Sequence, residues 1–400
     1  MGSQAARWTA PEPESDFQDE AAFVAEVRAF LDAELTPELR RAGRETIGVH
    51  SDIAACREWQ GKLYRKGWIA PTWPVAYGGT GWDARRRFLF DRECVRNDAP
   101  VLFAGGIRSL GPLLIEMGTP AQKARYLPAI LSGADMWAQG FSEPGAGSDL
   151  AAISTRAVRD GDVYVINGTK IWTTGAHHSN RMFAIVRTHD GEKRQQGLTF
   201  LLIDMDSPGL TVNPILGLAG DHECNQIFFD DVRVPVANRI GEENDGWSVA
   251  KRLMQLARSN NTPSALVRRS LKRAKEALDL AGENAEPSLR DRLMGLEIEL
   301  SAYEQIELSA LPNGRVAADN PSLSSMLKLT GTELHQRVVE LAADIAGPFG
   351  AASLKAIGIN GAELDRGARA MAKHFSIRAA SIYSGTSETQ RNLIAKQLVG

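Results

Sequence analysis

The part of the sequence best equipped for chemistry is the segment 139–149, which reads QGFSEPGAGSD. Its glycines leave backbone N–H groups free to approach an anion closely. Ser142 and Ser148 add two hydroxyl groups to the same segment. Such a loop can hold a phosphate or the oxygen-rich edge of a ring system. A tight surface turn has the same composition, and the glycines alone favour that simpler interpretation.

Two further groups of residues deserve comparison with this loop. Trp172 and Thr174 lie in a short β-type run, where a tryptophan is more often part of the core than of a binding site. His177 and His178 follow the run and have the composition of an acid/base pair. They lie where a turn is expected, so a polar turn is the preferred interpretation of this pair.

Three regions with different sequence patterns must position these residues, and together these patterns predict an α+β fold. Apolar residues recur at helical spacing in the first region, which predicts an N-terminal helical domain over residues 1–135. Residues 136–243 contain short β-branched and aromatic runs between Asp-Gly, Asn-Gly and Pro-Gly turns, so we expect a central antiparallel β domain. Residues 244–400 return to long helical patterns, typical of a C-terminal four-helix bundle. Strands are predicted at 163–166, 182–186, 198–203 and 227–229, and bundle helices at 247–259, 266–280, 289–311, 326–346 and 387–398.

Composition excludes several classes of function. A net charge of −3 and the lack of a Lys/Arg-dense stripe argue against nucleic acid as a partner. The longest apolar stretches, such as 197–203, are too short to cross a bilayer. Residues 1–20 are polar and acidic, unlike a signal or transit peptide. The cysteines are isolated and form neither a CxxC metal pair nor a disulfide framework. We therefore expect a cytoplasmic protein with no metal site.

Four segments, in order along the chain, resemble one known family. Residues 139–149 are similar to the signature of the acyl-CoA dehydrogenases, and residues 168–175 (GTKIWTTG) resemble that family's flavin-facing strand. Residues 229–247 resemble the exit from its β domain, and residues 382–391 (IYSGTSETQR) resemble its C-terminal signature. The resemblance covers nearly the whole chain and implies the same helical, β, helical order.

The resemblance implies FAD as the cofactor and assigns roles by motif position. Ser142 would bond the pyrimidine side of the flavin, Trp172 would lie against the isoalloxazine, and Thr174 would bond near the ring nitrogen that receives hydride. Ser148 would lie near cofactor phosphate or the thioester, and Arg258 near the CoA moiety. The implied cofactor-binding residues are Gln139, Phe141, Ser142, Gly147, Ser148, Trp172, Thr174, Thr386, Glu388 and Gln390. The implied substrate-binding residues are Ser148, Arg258 and Ser384.

The sequence departs from the family at the catalytic base. The family's reaction removes the α-proton of a thioester while the β-hydrogen leaves as hydride, and the proton requires a carboxylate within reach. The two positions from which that glutamate comes are Ser384 and Ala257 in this sequence. Neither side chain is a base at neutral pH. Glu243 and Asp245 are possible substitutes, although an acidic pair at a helix start is the preferred interpretation.

A second departure concerns assembly. Residues 280–296 lack the Arg-x-x-Phe-Gly element that reaches the FAD of a neighbouring subunit in the usual family. This pattern is similar to the branch in which two paralogous chains assemble and handle bulky acyl-CoAs such as sterol side chains. Three hypotheses follow: a dehydrogenase with an unrecognised base, a base-less subunit of a heteromer, or other flavin chemistry such as elimination or oxidation. The resemblance also implies a homo-oligomer or a heteromer, with an electron-transferring flavoprotein as acceptor.

Overall fold

The computed structural model describes residues 14–257, 263–282, 286–310, 321–351 and 362–399. Along these ranges the chain forms helices, then a sheet, then helices again, so the predicted α+β class and its order are confirmed. Within the same ranges, no helix is long and apolar enough to cross a membrane. The limits proposed for the three domains remain predictions.

The N-terminal helices begin and end at residues that satisfy free backbone groups. The Thr119 hydroxyl accepts the Gln122 N–H while the Gln122 side chain accepts the Thr119 N–H, a reciprocal cap at the start of one helix. Gly67, at φ +78°, ends another helix in a conformation that favours glycine. The helices are α1 Glu14–Glu34, α2 Pro37–Arg44, α3 Ile53–Lys66, α4 Ala84–Arg96, α5 Gly111–Met117 and α6 Pro120–Ser132.

The central sheet packs directly on these helices, because Trp59 of α3 and Phe183 and Phe200 of the sheet share one buried cluster. The strands are β1 Trp137–Gly140, β2 Arg156–Asp160, β3 Val163–Lys170, β4 Arg181–Arg187, β5 Leu198–Asp204, β6 Leu210–Leu216, β7 His222–Pro235 and β8 Arg239–Ile240. Their order in the sheet is β6-β7-β3-β2-β4-β5-β8, with β1 beside β4. Pairing is antiparallel except between β1 and β4 and at one β2–β4 bridge.

The C-terminal region is a helical bundle around a separate apolar core. Leu271, Leu300 and Leu334 come from three different helices and meet in that core. A fourth helix adds Ile377 against Val339. The helices are α7 Gly246–Ala257, α8 Ser264–Ala281, α9 Pro287–Ser309, α10 Pro321–Ala346, α11 Ala362–Arg378 and α12 Ser387–Val399.

The structure contains elements that the sequence patterns did not predict. Strands β1, β2, β6 and β8 and helix α11 have no counterpart among the predicted elements. Strand β6 carries Pro214 and is mostly solvent-facing, so its hydrophobic alternation is weak. Helix α11 buries small residues such as Gly367, Ala368 and Ala372, which produce little hydrophobic periodicity.

Candidate functional site

The loop 139–149 leaves strand β1 and turns back on itself at Glu143. Reciprocal backbone hydrogen bonds of 2.9 Å join Glu143 and Ala146, so this part of the loop is a closed turn. The carbonyl of Ser142 accepts the N–H of Ile171 at 2.9 Å, which ties the loop to the end of β3. Gly147 has open space where a side chain would begin, and Ser148 is exposed. The loop therefore offers hydroxyl and N–H groups from a fixed base.

A buried ion pair holds this loop from beneath. Lys170 Nζ lies 2.7 Å from Glu143 Oε1 and also donates to the carbonyls of Phe141, at 3.1 Å, and Ile185, at 2.7 Å. The Lys170 side chain is 0% exposed and that of Glu143 4%. Because each of the three ammonium donors has an acceptor, the charge is fully compensated.

The Glu143 carboxylate likewise has a hydrogen-bond donor at each of its oxygens. It accepts the N–H of Ser154 at 2.6 Å and that of Thr155 at 3.0 Å. Burial alone would raise the pKa of Glu143, but the charge and hydrogen bond of Lys170 and these further donors hold it below its usual range. Burial lowers the pKa of Lys170 to about 8. Glu143 is therefore a structural anion rather than a free base.

Beyond Lys170 the chain runs alongside the start of β7. Thr173 exchanges two backbone hydrogen bonds with Asn225, of 3.0 and 3.1 Å, and Gly175 N–H donates to the Glu223 carbonyl at 2.8 Å. Thr173 is fully buried by this pairing. The side chains of its two neighbours, Trp172 and Thr174, consequently point to the face opposite that of the buried Thr173 side chain.

Trp172 and Thr174 present an unusual pair of groups on that outward side. Trp172 is 60% exposed and has φ +59°, a conformation rare for a bulky residue and one that marks functional sites. The Thr174 hydroxyl lies 3.7 Å from the Cys224 sulfur. The expectation that a strand tryptophan belongs to the core does not hold for this residue. An exposed indole beside a hydroxyl can support a planar aromatic ligand.

The C-terminal segment is shaped by two left-handed residues, Ser384 at φ +56° and Gly385 at φ +87°. The Thr386 hydroxyl then accepts the N–H of Thr389 at 3.1 Å and starts α12. The buried Gln390 side chain donates to the Ser384 and Gly385 carbonyls at 3.5 and 3.4 Å, so it holds this turn. Partial burial, and then the Glu223 charge, raise the pKa of Tyr383 to about 12. The Glu223 carbonyl itself accepts the N–H of Gly175, in the segment that carries Trp172 and Thr174.

Three domain models of one known protein family match consecutive parts of this chain. The acyl-CoA dehydrogenase N-terminal domain matches residues 18–134, the middle domain residues 138–232, and the C-terminal domain residues 244–399. The chain belongs to the acyl-CoA dehydrogenase family. Members of this family are oxidoreductases, and the relatives of this chain are flavoproteins.

Individual relatives of this acyl-CoA dehydrogenase are similar over almost their full length. The acyl-CoA dehydrogenase IpdE1 of Mycobacterium tuberculosis is 35% identical over 392 residues, which cover 96% of this chain and 98% of that protein. The crystal structure of the ChsE4-ChsE5 complex from Mycobacterium tuberculosis has a TM-score of 0.80 at 28% identity, covering 98% of this chain and 99% of that one. The Tcur3481-Tcur3483 steroid acyl-CoA dehydrogenase has a TM-score of 0.81 at 28% identity, covering 98% of both chains.

The structure joins the loop 139–149 to the segment that carries Trp172 and Thr174, but two of the expected side chains point inward. The Phe141 ring lies in the core, edge-to-face with Phe183 at 5.9 Å, so a ligand could reach only its backbone. Gln390 is turned into its own loop, as described above. Gln139, Ser142, Thr386 and Glu388 are partly or largely accessible. Arg258 lies outside the described residues.

The two positions expected to carry the catalytic base contain no carboxylate. The possible substitutes, Glu243 and Asp245, form hydrogen bonds and ion pairs with other residues. Ser384 is exposed in its turn, and Ala257 is the last described residue of α7. Glu243 Oε2 accepts the Tyr164 hydroxyl at 2.9 Å and lies 3.3 Å from the guanidinium groups of Arg159 and Arg239. Asp245 accepts the Ser248 hydroxyl at 2.7 Å at the start of α7. These contacts support a structural role for both acidic residues.

One group of residues at the site was not predicted from the sequence. His177 and His178 form a short 3-10 turn, but they also pack with His222 of β7 and His50 of the N-terminal region. The paired His177 and His178 were visible in the sequence. Their partners lie far away along the chain: His222 meets them through the pairing of Thr173 with Asn225, whereas His50 packs on Phe103.

Proposed function

We propose that this chain binds FAD and takes part in the α,β-dehydrogenation of an acyl-CoA thioester, with the base supplied by a second, paralogous chain. The observation that carries the proposal is the 2.9 Å hydrogen bond from Ile171 N–H to the Ser142 carbonyl. It holds the exposed Trp172 ring and the Thr174 hydroxyl beside the serine- and glycine-rich loop. These groups match, in type and spacing, the ones that the family uses for a flavin.

The residues fit a flavin on physical grounds as well. Ser142 would bond the pyrimidine edge, the Trp172 indole would lie against the ring system, and Thr174 would bond near the reacting nitrogen. Gly147, with nothing within 4 Å of an added Cβ, leaves its backbone open to close approach by an anionic group. FAD bound there would supply the acceptor for the β-hydride of the thioester.

The proton of the α-carbon requires a separate acceptor, and the two family positions for it, Ser384 and Ala257, carry no carboxylate in this chain. A serine hydroxyl at Ser384 is a poor base without a partner to activate it. Glu143 is saturated by donors, and Glu243 and Asp245 have partners away from the flavin-facing segment. In the proposed reaction the α-proton passes to a carboxylate of the second chain as the β-hydride leaves, so charge and atoms balance.

The relatives support a heteromeric assembly and a bulky acyl group. Two similar solved structures are complexes of two chains, and one of them is described as a steroid acyl-CoA dehydrogenase. We therefore propose a bulky, ring-containing acyl-CoA as substrate and an electron-transferring flavoprotein as the acceptor. A homo-oligomer is the alternative assembly.

Visible spectra of the purified chain test the proposal, alone and co-expressed with a paralogous neighbour, before and after anaerobic addition of straight-chain and alicyclic acyl-CoAs. We expect a flavin band that bleaches in the co-expressed complex and stays oxidised in the single chain. Bleaching in the single chain would show that the base lies within it. A bound flavin that bleaches in neither preparation would instead favour elimination or oxidation chemistry.

A further inference from the structure

In the described ranges of the chain, the hydroxyl of Thr174 has one hydrogen-bond partner, which is the thiol of Cys224. The two heavy atoms, Thr174 Oγ1 and Cys224 Sγ, lie 3.7 Å apart, and either of them can be the donor. Cys224 is a half-buried free thiol. The hydroxyl proposed to bond the reacting nitrogen of the flavin is therefore itself in contact with a cysteine.

The contact lies on the outward face of the sheet, where Trp172 is exposed. Asn225 pairs with Thr173 through the backbone, and its side chain is fully buried on the inward side. Successive side chains of a strand point to opposite faces, so Cys224, the residue before Asn225 in β7, points outward. Cys224 consequently meets Thr174 on the side that would face the flavin.

The Cys224 thiol keeps its proton at neutral pH. Burial is the largest influence on its pKa and raises it. The hydrogen bond with Thr174 lowers the pKa by less, and the carboxylates of Glu223 and Asp221 raise it again. The pKa of Cys224 thus lies above the ordinary thiol value of 9.0. A neutral thiol is a weak donor through its proton and a weak acceptor through its sulfur.

The partner of a hydroxyl decides where its single proton points. A carbonyl or carboxylate at the position of the thiol could only accept, and it would hold the Thr174 proton on its own side. A thiol can donate to the Thr174 oxygen, which leaves the hydroxyl proton free for an acceptor on the ligand. Because sulfur also accepts, Thr174 can reverse this direction and accept from the ligand. The thiol therefore suits a hydroxyl that must act as a donor before hydride transfer and as an acceptor after it.

We propose that Cys224 is a positioning residue, whose thiol orients the Thr174 hydroxyl towards the flavin nitrogen that receives hydride. The inference rests on the flavin binding of the proposed function, and it adds a residue that acts only through Thr174. If the cysteine merely filled space in β7, its removal would affect flavin binding equally whether or not residue 174 carried a hydroxyl.

A double-mutant cycle between Cys224 and Thr174 separates these two roles, because it isolates the interaction between two residues in contact. FAD affinity is measured by fluorescence titration of the apoprotein for the wild type, Cys224→Ala, Thr174→Val and the double variant. Cys224→Ala should weaken the affinity by about threefold or more, the contribution of one net hydrogen bond. In the Thr174→Val background, the same substitution should change the affinity by less than about twofold.

Two further variants control for side-chain size and for the loss of a thiol. Cys224→Ser has nearly the size of Cys224→Ala but keeps a donor and an acceptor, so it should bind FAD more tightly than Cys224→Ala. Cys94→Ala removes the half-buried thiol of α4 and should leave the FAD affinity unchanged.

The visible absorption band of the bound, oxidised flavin is a second readout, since it reports the hydrogen bonds made to the ring. The band should shift in Cys224→Ala and in Thr174→Val. The double variant should have the same band position as Thr174→Val, because the thiol acts through the hydroxyl that this substitution removes.

Equal losses of FAD affinity for Cys224→Ala in both backgrounds overturn the inference. Full affinity in Cys224→Ala also overturns it, as does a Cys224→Ser variant that binds no better than Cys224→Ala. If the cycle shows coupling but no acyl-CoA bleaches the flavin of the co-expressed complex, the inference stands and the proposed dehydrogenation fails. A wild-type protein that binds no FAD overturns both. Circular dichroism melts verify that each variant is folded.

Discussion

Glu143→Gln should be one of the most damaging single substitutions in the site, although it retains the shape of the side chain. It removes the negative charge that lies 2.7 Å from Lys170, whose side chain is 0% exposed. The ammonium would keep only uncharged acceptors, namely the carbonyls of Phe141 and Ile185 and the new amide oxygen. Leaving a buried charge unpaired costs about 3–5 kcal/mol, against a total stability of about 5–15 kcal/mol for a typical protein.

A control in the same loop separates this effect from loss of any surface charge. Asp149→Asn breaks a 2.6 Å pair with Arg194, but both side chains are mostly exposed, at 59% and 70%. Exposed pairs contribute about 0–1 kcal/mol. Urea unfolding followed by circular dichroism, with flavin release as a second signal, measures both variants. The double variant E143Q/K170M should be more stable than E143Q, because the orphaned charge is gone.

Equal losses for Glu143→Gln and Asp149→Asn would refute the reasoning, and so would a double variant no better than the single one. The pair also predicts a pH dependence. The folded-state pKa of Glu143 lies below its ordinary value of 4.5. Its stabilising contribution is therefore complete above that ordinary value and is lost as the pH falls through the folded-state pKa. Acid unfolding of Glu143→Gln should lack this component.

Three further predictions concern the site. Trp172→Ala should change the free energy of unfolding of the apoprotein by no more than about 0.5 kcal/mol, because the ring is exposed. The flavin affinity of the same variant, measured by fluorescence titration, should fall at least tenfold. Ser384→Glu or Ala257→Glu should raise the rate of flavin reduction by acyl-CoA in the single chain by about 10²-fold or more, the contribution of a placed base; unchanged rates in both, with ligand still bound, would show that the base is not the missing element. The folded-state pKa of His177 is lowered to about 4, so the folded protein favours the neutral imidazole. The stability that depends on this neutral form is complete above the ordinary pKa of 6.5 and is lost as the pH falls towards 4. In thermal melts, the stability of His177→Asn should therefore depend less on pH across that window.

The sequence predicted the parts of the site that depend on local composition. The serine- and glycine-rich loop and the pair Trp172 and Thr174 are contiguous motifs, and a hydrogen bond between Ile171 and Ser142 joins the two segments. The resemblance also corrected the general expectation that a strand tryptophan is buried. The long C-terminal helices other than α11 were predicted because leucines recur along them with helical period.

The contacts that the sequence could not predict depend on strand register, that is, on which residues of two paired strands lie opposite each other. Asn225 meets Thr173 across 52 residues, and that pairing alone brings His222 onto His177. No local pattern specifies which residues of two strands will face each other. The role of Glu143 was hidden for the same reason, since its partner Lys170 lies 27 residues further along the chain. Helix α11 was missed because its buried face consists of small residues.

The central claim is that this chain provides the flavin site of an acyl-CoA dehydrogenase but not the base. It is tested most directly by exchange at the α-carbon, which reports proton removal independently of hydride transfer. The flavin-loaded single chain and the co-expressed complex would each be incubated anaerobically with cyclohexanecarbonyl-CoA in deuterium oxide, and deuterium in the recovered thioester measured by mass spectrometry. We predict no incorporation above the protein-free control for the single chain and incorporation, or flavin bleaching, for the complex. Deuterium incorporation by the single chain would contradict the claim and would mean that its own residues remove the α-proton.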